Sequence, residues 1–77
     1  MWVGQDDHKR VGAVLERART RAGLTQAELA RALKKPQSFV SNYESGQRRV
    51  DVLELSVIAD ALGADPRRVF SDILRSR

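Results

Sequence analysis

The sequence contains no cysteine, a single histidine and only four aromatic residues. Without cysteine the chain has no disulfides and no thiolate metal ligands. One histidine, with no glycine-rich phosphate loop, leaves no nucleophile–base pair and no metal cage, so we expect neither an enzyme nor a protein with a cofactor. No apolar run approaches the roughly 20 residues that span a bilayer, and no signal peptide is evident. We therefore expect a cytoplasmic protein without membrane contacts.

The chain is also short, at 77 residues, which predicts a single domain over residues 1–77. A domain of this size buries only about 60% of its unfolded surface. With no disulfide available, its stability must come from helix packing or from dimerisation. We therefore expect no second domain that binds a small molecule.

Apolar residues recur at spacings of three and four in five segments, and no alternating run predicts a strand. We therefore expect an all-α, five-helix domain. Residues 1–6 show no helical pattern and are predicted to be a flexible N-terminus, with Trp2 either on the surface or against a partner subunit or DNA. The first helix should run from Asp6 or Asp7 to Ala22, with Gly23 ending it in a left-handed cap.

The segment 25–44 is predicted to form two short helices with a tight corner. Thr25 and Glu28 form a capping box at the first helix. Pro36 ends that helix and suits the start of the next. A fourth helix should follow, with its own capping box and with Val52 on its inner face.

The last helix, over residues 65–75, carries more apolar residues than a small core needs. Val69 should complete the core, whereas the other apolar side chains predict an exposed patch, which commonly marks an interface. We expect a homodimer through this patch; the alternative is that the same residues close the core. The predicted interface residues are Phe70, Ile73, Leu74 and, from the fourth helix, Leu53.

Basic residues are concentrated in the first part of the chain. Residues 1–50 hold ten Lys and Arg against five Asp and Glu, a net charge of +5, whereas residues 51–77 hold four against five, a net charge of −1. This asymmetry is typical of a nucleic-acid-binding surface that includes the segment 25–44.

The order and spacing of these features resemble the phage-repressor and Cro family of helix-turn-helix DNA-binding proteins, also called XRE-like. The resemblance extends from about Val11 to Phe70 and implies a lambda-repressor-like fold. It also implies that Gln26 contacts a DNA phosphate and that Arg19 pairs with Glu44 in a structural role. The residues that carry it are Gly23-Leu24-Thr25-Gln26, Glu28-Leu29-Ala30, Gln37-Ser38, Val40-Ser41, Tyr43-Glu44 and Gly46.

DNA binding needs contacts that hold the backbone and contacts that distinguish bases. Lys35, Arg48 and Arg49 are predicted to lie near phosphates. Gln and Asn can bond bidentately to adenine, and Phe39 is predicted either to touch a thymine methyl or to pack beside the corner. The residues predicted to contact base edges are Gln37, Ser38, Ser41, Asn42 and Phe39.

Two residues depart from the family pattern. Lys34 stands where a corner glycine is usual, and Pro36 replaces a Ser or Thr cap. Neither removes the motif. The sequence therefore predicts a dimeric repressor that binds an inverted repeat in double-stranded DNA. One alternative is an antitoxin or restriction-controller protein, which would add a protein partner such as a toxin or polymerase. Another is a helix-turn-helix scaffold used only for protein interaction.

Overall fold

The computed structural model describes residues 2–77, and this part of the chain contains five α-helices and no strand. The predicted all-α, five-helix fold is confirmed. None of the helices is both long enough and apolar enough to cross a membrane. The helices are α1 (Gln5–Arg21), α2 (Gln26–Leu33), α3 (Gln37–Glu44), α4 (Val52–Ala61) and α5 (Pro66–Arg75).

Capping boxes begin α2 and α4, as the sequence predicts. The Glu28 N–H donates to Thr25 Oγ1 at 3.1 Å, and the Thr25 N–H donates to the Glu28 carboxylate at 2.8 Å. Asp51 and Glu54 repeat the arrangement at 2.7 and 3.0 Å. Each box satisfies two amides that a helix start otherwise leaves without partners. These bonds set where the two helices begin.

The first helix begins earlier than expected. It starts at Gln5, so part of the segment 1–6 that was predicted to be flexible is helical; Met1 lies outside the described residues. The Gly4 N–H donates to Asp7 at 2.8 Å, and Gln5 Nε2 donates to the Gly46 carbonyl at 2.7 Å. These two bonds hold the helix start, which the apolar pattern alone does not reveal. Trp2 is exposed.

The core lies where α1 packs against α3 on one side and against α5 on the other. Ile73, predicted at a dimer interface, is only 8% exposed, so that prediction is wrong. It lies one turn after Val69 and therefore shares the inner face of α5. Val52, predicted to be internal, is exposed at the start of α4. The core residues are Val14, Leu15, Ala18, Leu29, Ala30, Val40, Tyr43, Ile58, Ala59, Leu62, Val69 and Ile73.

The corner between α2 and α3 is built around a left-handed lysine. Lys34 has φ 57° and ψ 43°, and its N–H donates to the carbonyls of Ala30 and Arg31. A left-handed backbone costs a residue with a Cβ about 1 kcal/mol, so the chain keeps the corner at some loss of stability. Pro36 lies at the N-cap of α3, just before the first helical residue, and supplies no side-chain cap.

Gly12, in the middle of α1, allows α1 and α3 to approach closely. The residue is buried, and a Cβ added to it would lie 2.3 Å from the Tyr43 carbonyl oxygen and 2.4 Å from that of Glu44. Both neighbours are backbone atoms at the end of α3, and they cannot rotate away as a side chain does. Gly12 therefore sets the distance between the two helices.

Replacing Gly12 with Ala should lower the free energy of unfolding by about 1–3 kcal/mol, because the methyl group overpacks the helix contact. In a helix without such a contact the same change raises stability by about 0.5–1 kcal/mol. Urea denaturation checks the sign. Ala13→Gly in the same helix is the control for helix propensity. A Gly12→Ala protein more stable than the wild type would contradict the close approach.

Candidate nucleic-acid interface

The outer face of α3 carries four polar side chains in solvent. Val40 and Tyr43, three residues apart, turn inward and are buried. The side chains that remain on the outside offer amide and hydroxyl donors and acceptors. They are the neutral polar residues predicted to contact base edges, namely Gln37, Ser38, Ser41 and Asn42, and all four are exposed.

The end of α3 is fixed to α1 by an ion pair. Arg19 Nε and Nη2 donate to the two carboxylate oxygens of Glu44 at 2.8 and 3.1 Å. The Glu44 side chain is only 3% exposed and that of Arg19 13%. Arg19 Nη1 also donates to the Leu24 carbonyl at 2.8 Å, and the bond to Glu44 raises the pKa of Arg19. One guanidinium thus joins the end of α1, the start of the helix-turn-helix and the end of α3.

Gln26 extends this pair toward the outer face of α3. Its Nε2 donates to Glu44 Oε1 at 2.9 Å, and Gln37 Nε2 donates to Gln26 Oε1 at 3.4 Å. The amide that was predicted to contact phosphate is therefore also part of an internal chain of hydrogen bonds. That chain runs from the buried carboxylate of Glu44 to the first exposed amide of α3, and so it limits the orientations of Gln37.

Phe39 packs beside the corner, which is the second of the two roles predicted for it. It is partly buried, and its ring meets that of Tyr43 edge-on, with the centroids 5.6 Å apart. The Arg48 guanidinium lies 4.5 Å from the centroid of the same ring. Because the ring packs against these two groups, Phe39 is not among the residues proposed to contact bases.

Arg48 makes contacts that its prediction as a phosphate ligand did not include. Its Nη1 and Nη2 donate to the Glu54 carboxylate at 3.0 and 2.8 Å. The guanidinium is thus occupied by an acid and an aromatic ring, and it connects the end of α3 to the start of α4. Composition reveals the charge of an arginine but not its partner, so the sequence alone does not distinguish Arg48 from an unpaired cation.

Two cations near the corner remain in solvent. Lys35 and Arg49 are both exposed, and neither forms an ion pair with another residue in the range 2–77. Lys35 Nζ lies 5.6 Å from the centre of the Phe39 ring. These side chains flank the exposed face of α3, where they raise the positive potential without being neutralised internally.

Tyr43, another titratable side chain of α3, is buried in the core and has a structural role. Burial raises the pKa of Tyr43 above its ordinary value, and its hydroxyl has no hydrogen-bond partner among residues 2–77. Over the same range, no cluster of His, Asp and Glu is arranged to hold a metal ion. The chemistry available at this surface is therefore hydrogen bonding and charge attraction.

The Arg48–Glu54 pair makes stability depend on acid pH. The hydrogen bonds from Arg48 and from the Asp51 N–H lower the pKa of Glu54 from 4.5 to about 2. Because the folded pKa is the lower one, the ionised carboxylate stabilises the fold above pH 4.5, and this contribution disappears as the pH falls toward 2.

Replacing Glu54 with Gln should therefore cost about 1 kcal/mol at neutral pH, and the two proteins should converge in stability near pH 2. Urea denaturation at several pH values measures the difference. The pKa values of Asp7, Glu28 and Asp65 are also lowered. Because these groups titrate in both proteins, their contributions cancel in the stability difference. A difference that stays constant from pH 7 to about pH 2 would contradict the pairing.

Comparison with known proteins agrees with this architecture. A helix-turn-helix family model matches residues 15–69, which include the whole of α2, α3 and α4. A comparison with curated proteins found no significant match.

Several solved structures are similar over most of the chain. An XRE-family-like protein from Pseudomonas syringae is 38% identical, covering 91% of this chain and 85% of that one, with a TM-score of 0.80. The restriction-modification controller protein C.AhdI from Aeromonas hydrophila is 35% identical, covering 84% and 98%, with a TM-score of 0.77. The clp gene regulator ClgR from C. glutamicum is 30% identical, covering 91% of each chain, with a TM-score of 0.84. The chain therefore belongs to the XRE-type helix-turn-helix family of DNA-binding transcription regulators.

Proposed function

We propose that the protein is a dimeric, sequence-specific repressor that binds an inverted repeat in double-stranded DNA in the cytoplasm. The observation that carries this proposal is the outer face of α3, where four exposed polar side chains stand on a helix whose end is fixed by a buried ion pair. A fixed helix presents its donors and acceptors in one geometry, which is the condition for distinguishing base edges in the major groove.

Each exposed side chain has a definite role in this proposal. Gln37 and Asn42 are suited to bidentate hydrogen bonds with adenine, and Ser38 and Ser41 bond to adjacent base edges. Gln37 is the better oriented of the two amides, because Gln26 accepts a bond from it. We propose that the specificity of the site depends most strongly on Gln37.

Backbone contacts come from the residues around this face. Lys35 and Arg49 are exposed cations without internal partners in the described chain, and Gln26 lies at the start of α2, where free amides favour an anion. Arg48 acts differently in our proposal. It keeps the connection to α4 in place and does not itself hold a phosphate.

Dimerisation is supported by exposed apolar side chains on α4 and α5. Phe70 is 52% exposed and Leu53 77%, and Leu74, Val52 and Val57 are exposed as well. Phe70 and Val52 line one concavity beside α5. Helix α4 thus carries apolar residues on its outer side in addition to those in the core, a pattern expected of a helix covered on both sides. In a symmetric dimer each α3 would enter a major groove about 10 bp from the other.

One of the similar structures favours a second candidate function. C.AhdI is a restriction-modification controller protein, and this chain resembles 98% of its length. A controller protein would use the same DNA-binding surface, so the two functions differ in the genes regulated. A restriction or toxin gene beside the gene for this chain would favour that alternative over a general repressor.

Alanine substitutions on α3 should separate base contacts from backbone contacts. Gln37→Ala or Asn42→Ala should reduce discrimination at one base pair by about 1–3 kcal/mol while leaving binding to unrelated sequences nearly unchanged. Arg49→Ala should weaken binding to all sequences alike. It should also reduce the salt dependence of the binding constant by the amount expected for about one phosphate contact. Selection from random duplexes, followed by titration at several salt concentrations, measures both effects.

Arg17→Ala is the matched control for charge, because Arg17 is exposed on α1 and does not line the concavity that holds Phe70 and Val52. It should leave the salt dependence unchanged. Equal losses on all DNA sequences for the Gln37, Asn42 and Arg49 variants would contradict the base-contacting roles. If Arg49→Glu leaves the biological activity intact, the chain is a scaffold for protein interaction instead.

Phe70→Glu should convert the dimer to a monomer, because it places a charge in the apolar interface. Affinity for an inverted repeat should then fall by about tenfold or more, while affinity for a single half-site stays within about twofold. Sedimentation velocity measures the first effect and duplex titration the second. Val3→Glu introduces the same charge at an exposed apolar residue outside the patch. A Phe70→Glu protein that sediments as a dimer would show that the interface lies elsewhere.

A further inference from the structure

A second strongly charged surface lies between α1 and α5, and we call it the arginine groove. It consists of two adjoining concavities, of about 590 and 400 Å³, that share Arg21, Arg68 and Asp72. Four arginines line the groove against two aspartates, which leaves a net charge of +2. The arginines are Arg17, Arg21, Arg68 and Arg75, and the aspartates are Asp65 and Asp72.

Most of the hydrogen-bond donors in the groove face solvent. Arg21 and Arg68 reach the Asp72 carboxylate at 4.0 and 3.8 Å, and Arg75 contacts it more closely. Each guanidinium carries five N–H donors, whereas one carboxylate accepts about four hydrogen bonds. The three arginine side chains remain 65–75% exposed. Asp72 therefore satisfies only a small part of the donors around it, and the others are available to a second anion.

The larger concavity has an apolar floor. Small and aliphatic residues from α1, from the turn after α4 and from α5 form it. The combination of arginines with an apolar floor favours a protein ligand over a nucleic acid, because a phosphate backbone offers no apolar groups to cover such a floor. The floor residues are Ala18, Ala22, Leu62, Ala64 and Val69.

The groove lies on the opposite side of α1 from the DNA-binding helix. Gly12 and Arg19 face α3, whereas Arg21 follows Gly12 by nine residues, two and a half turns, and so points the other way. Arg10, on the same side as Arg21, donates to the Ile73 carbonyl at the end of α5 at 2.9 Å. A ligand in the groove and a duplex on α3 can therefore be bound at the same time.

We propose that the arginine groove binds an acidic segment of a partner protein, with its carboxylates on Arg21, Arg68 and Arg75 and an apolar side chain against Ala22 and Leu62. Asp72 shows that a carboxylate fits among these guanidinium groups. The segment would add further carboxylates, each of which can accept two hydrogen bonds from one guanidinium. This inference does not depend on the DNA sequence that α3 binds, or on whether the protein represses or activates.

The test is titration of the full-length protein with a short labelled peptide of glutamates interrupted by two leucines. The double variant Arg21→Ala with Arg68→Ala should bind the peptide at least about tenfold more weakly. Asp72→Asn should bind it about threefold more tightly, because a competing carboxylate is removed. The matched control, Lys9→Ala with Arg31→Ala, removes the same charge from exposed residues outside the groove and should change affinity by less than about twofold.

Three further measurements distinguish a site for an acidic peptide from attraction by net charge and from a nucleic-acid contact. Circular dichroism establishes that the variants are folded. A peptide of glutamates alone should bind more weakly than the one with leucines, and a DNA duplex should bind the groove variant as it binds the wild type. Equal losses for the groove and control variants would show attraction by net charge only. Loss of duplex binding without loss of peptide binding would make the surface a nucleic-acid contact. Either result overturns the proposal.

Discussion

The close contact between α1 and α3 is the constraint on which the rest of the structure depends. Helix α3 has only eight residues, far fewer than an isolated helix needs to be stable in water. Its position must therefore come from its neighbours. Gly12 allows the two backbones to meet, and Arg19 and Glu44 fix the end of α3 through a nearly buried ion pair. The exposed face of α3 has a defined orientation because the opposite face and the last residue are held by α1.

The features that depend on local chemistry could be predicted from the sequence. Two capping boxes and the Asp65–Pro66 start of α5 mark helix beginnings, and the structure has each of them. These helix starts can be read from the sequence because each capping hydrogen bond joins residues only two or three apart. The start of α1 lies one or two residues before the predicted one, because no apolar residue marks Gln5 and one of the two bonds that hold this start comes from the distant Gly46 carbonyl.

The errors in the candidate site have the same origin. Charge and periodicity identify what a side chain offers, but not what already occupies it. Arg48 was predicted to lie near a DNA phosphate, yet its guanidinium is paired with Glu54 and lies over the Phe39 ring. Ile73 was predicted to be exposed because the size of the core was estimated from the number of apolar residues. The spacing of four residues from Val69 to Ile73 indicates that both lie on the inner face of α5, and a glycine in mid-helix, such as Gly12, indicates a close approach between helices.

Helix α1 therefore does more than contribute to the core. One of its sides sets the position of α3, the helix proposed to contact DNA bases, and the other forms a wall of the arginine groove. The exposed apolar residues of α4 and α5 add further surface beside two concavities, one lined by Leu53 and the other by Phe70. In a chain of 77 residues these surfaces share one small core, so a change at the centre of α1 reaches more than one of them. Gly12→Ala should thus disturb DNA binding through α3, whereas changes to exposed arginines of the groove leave that helix in place.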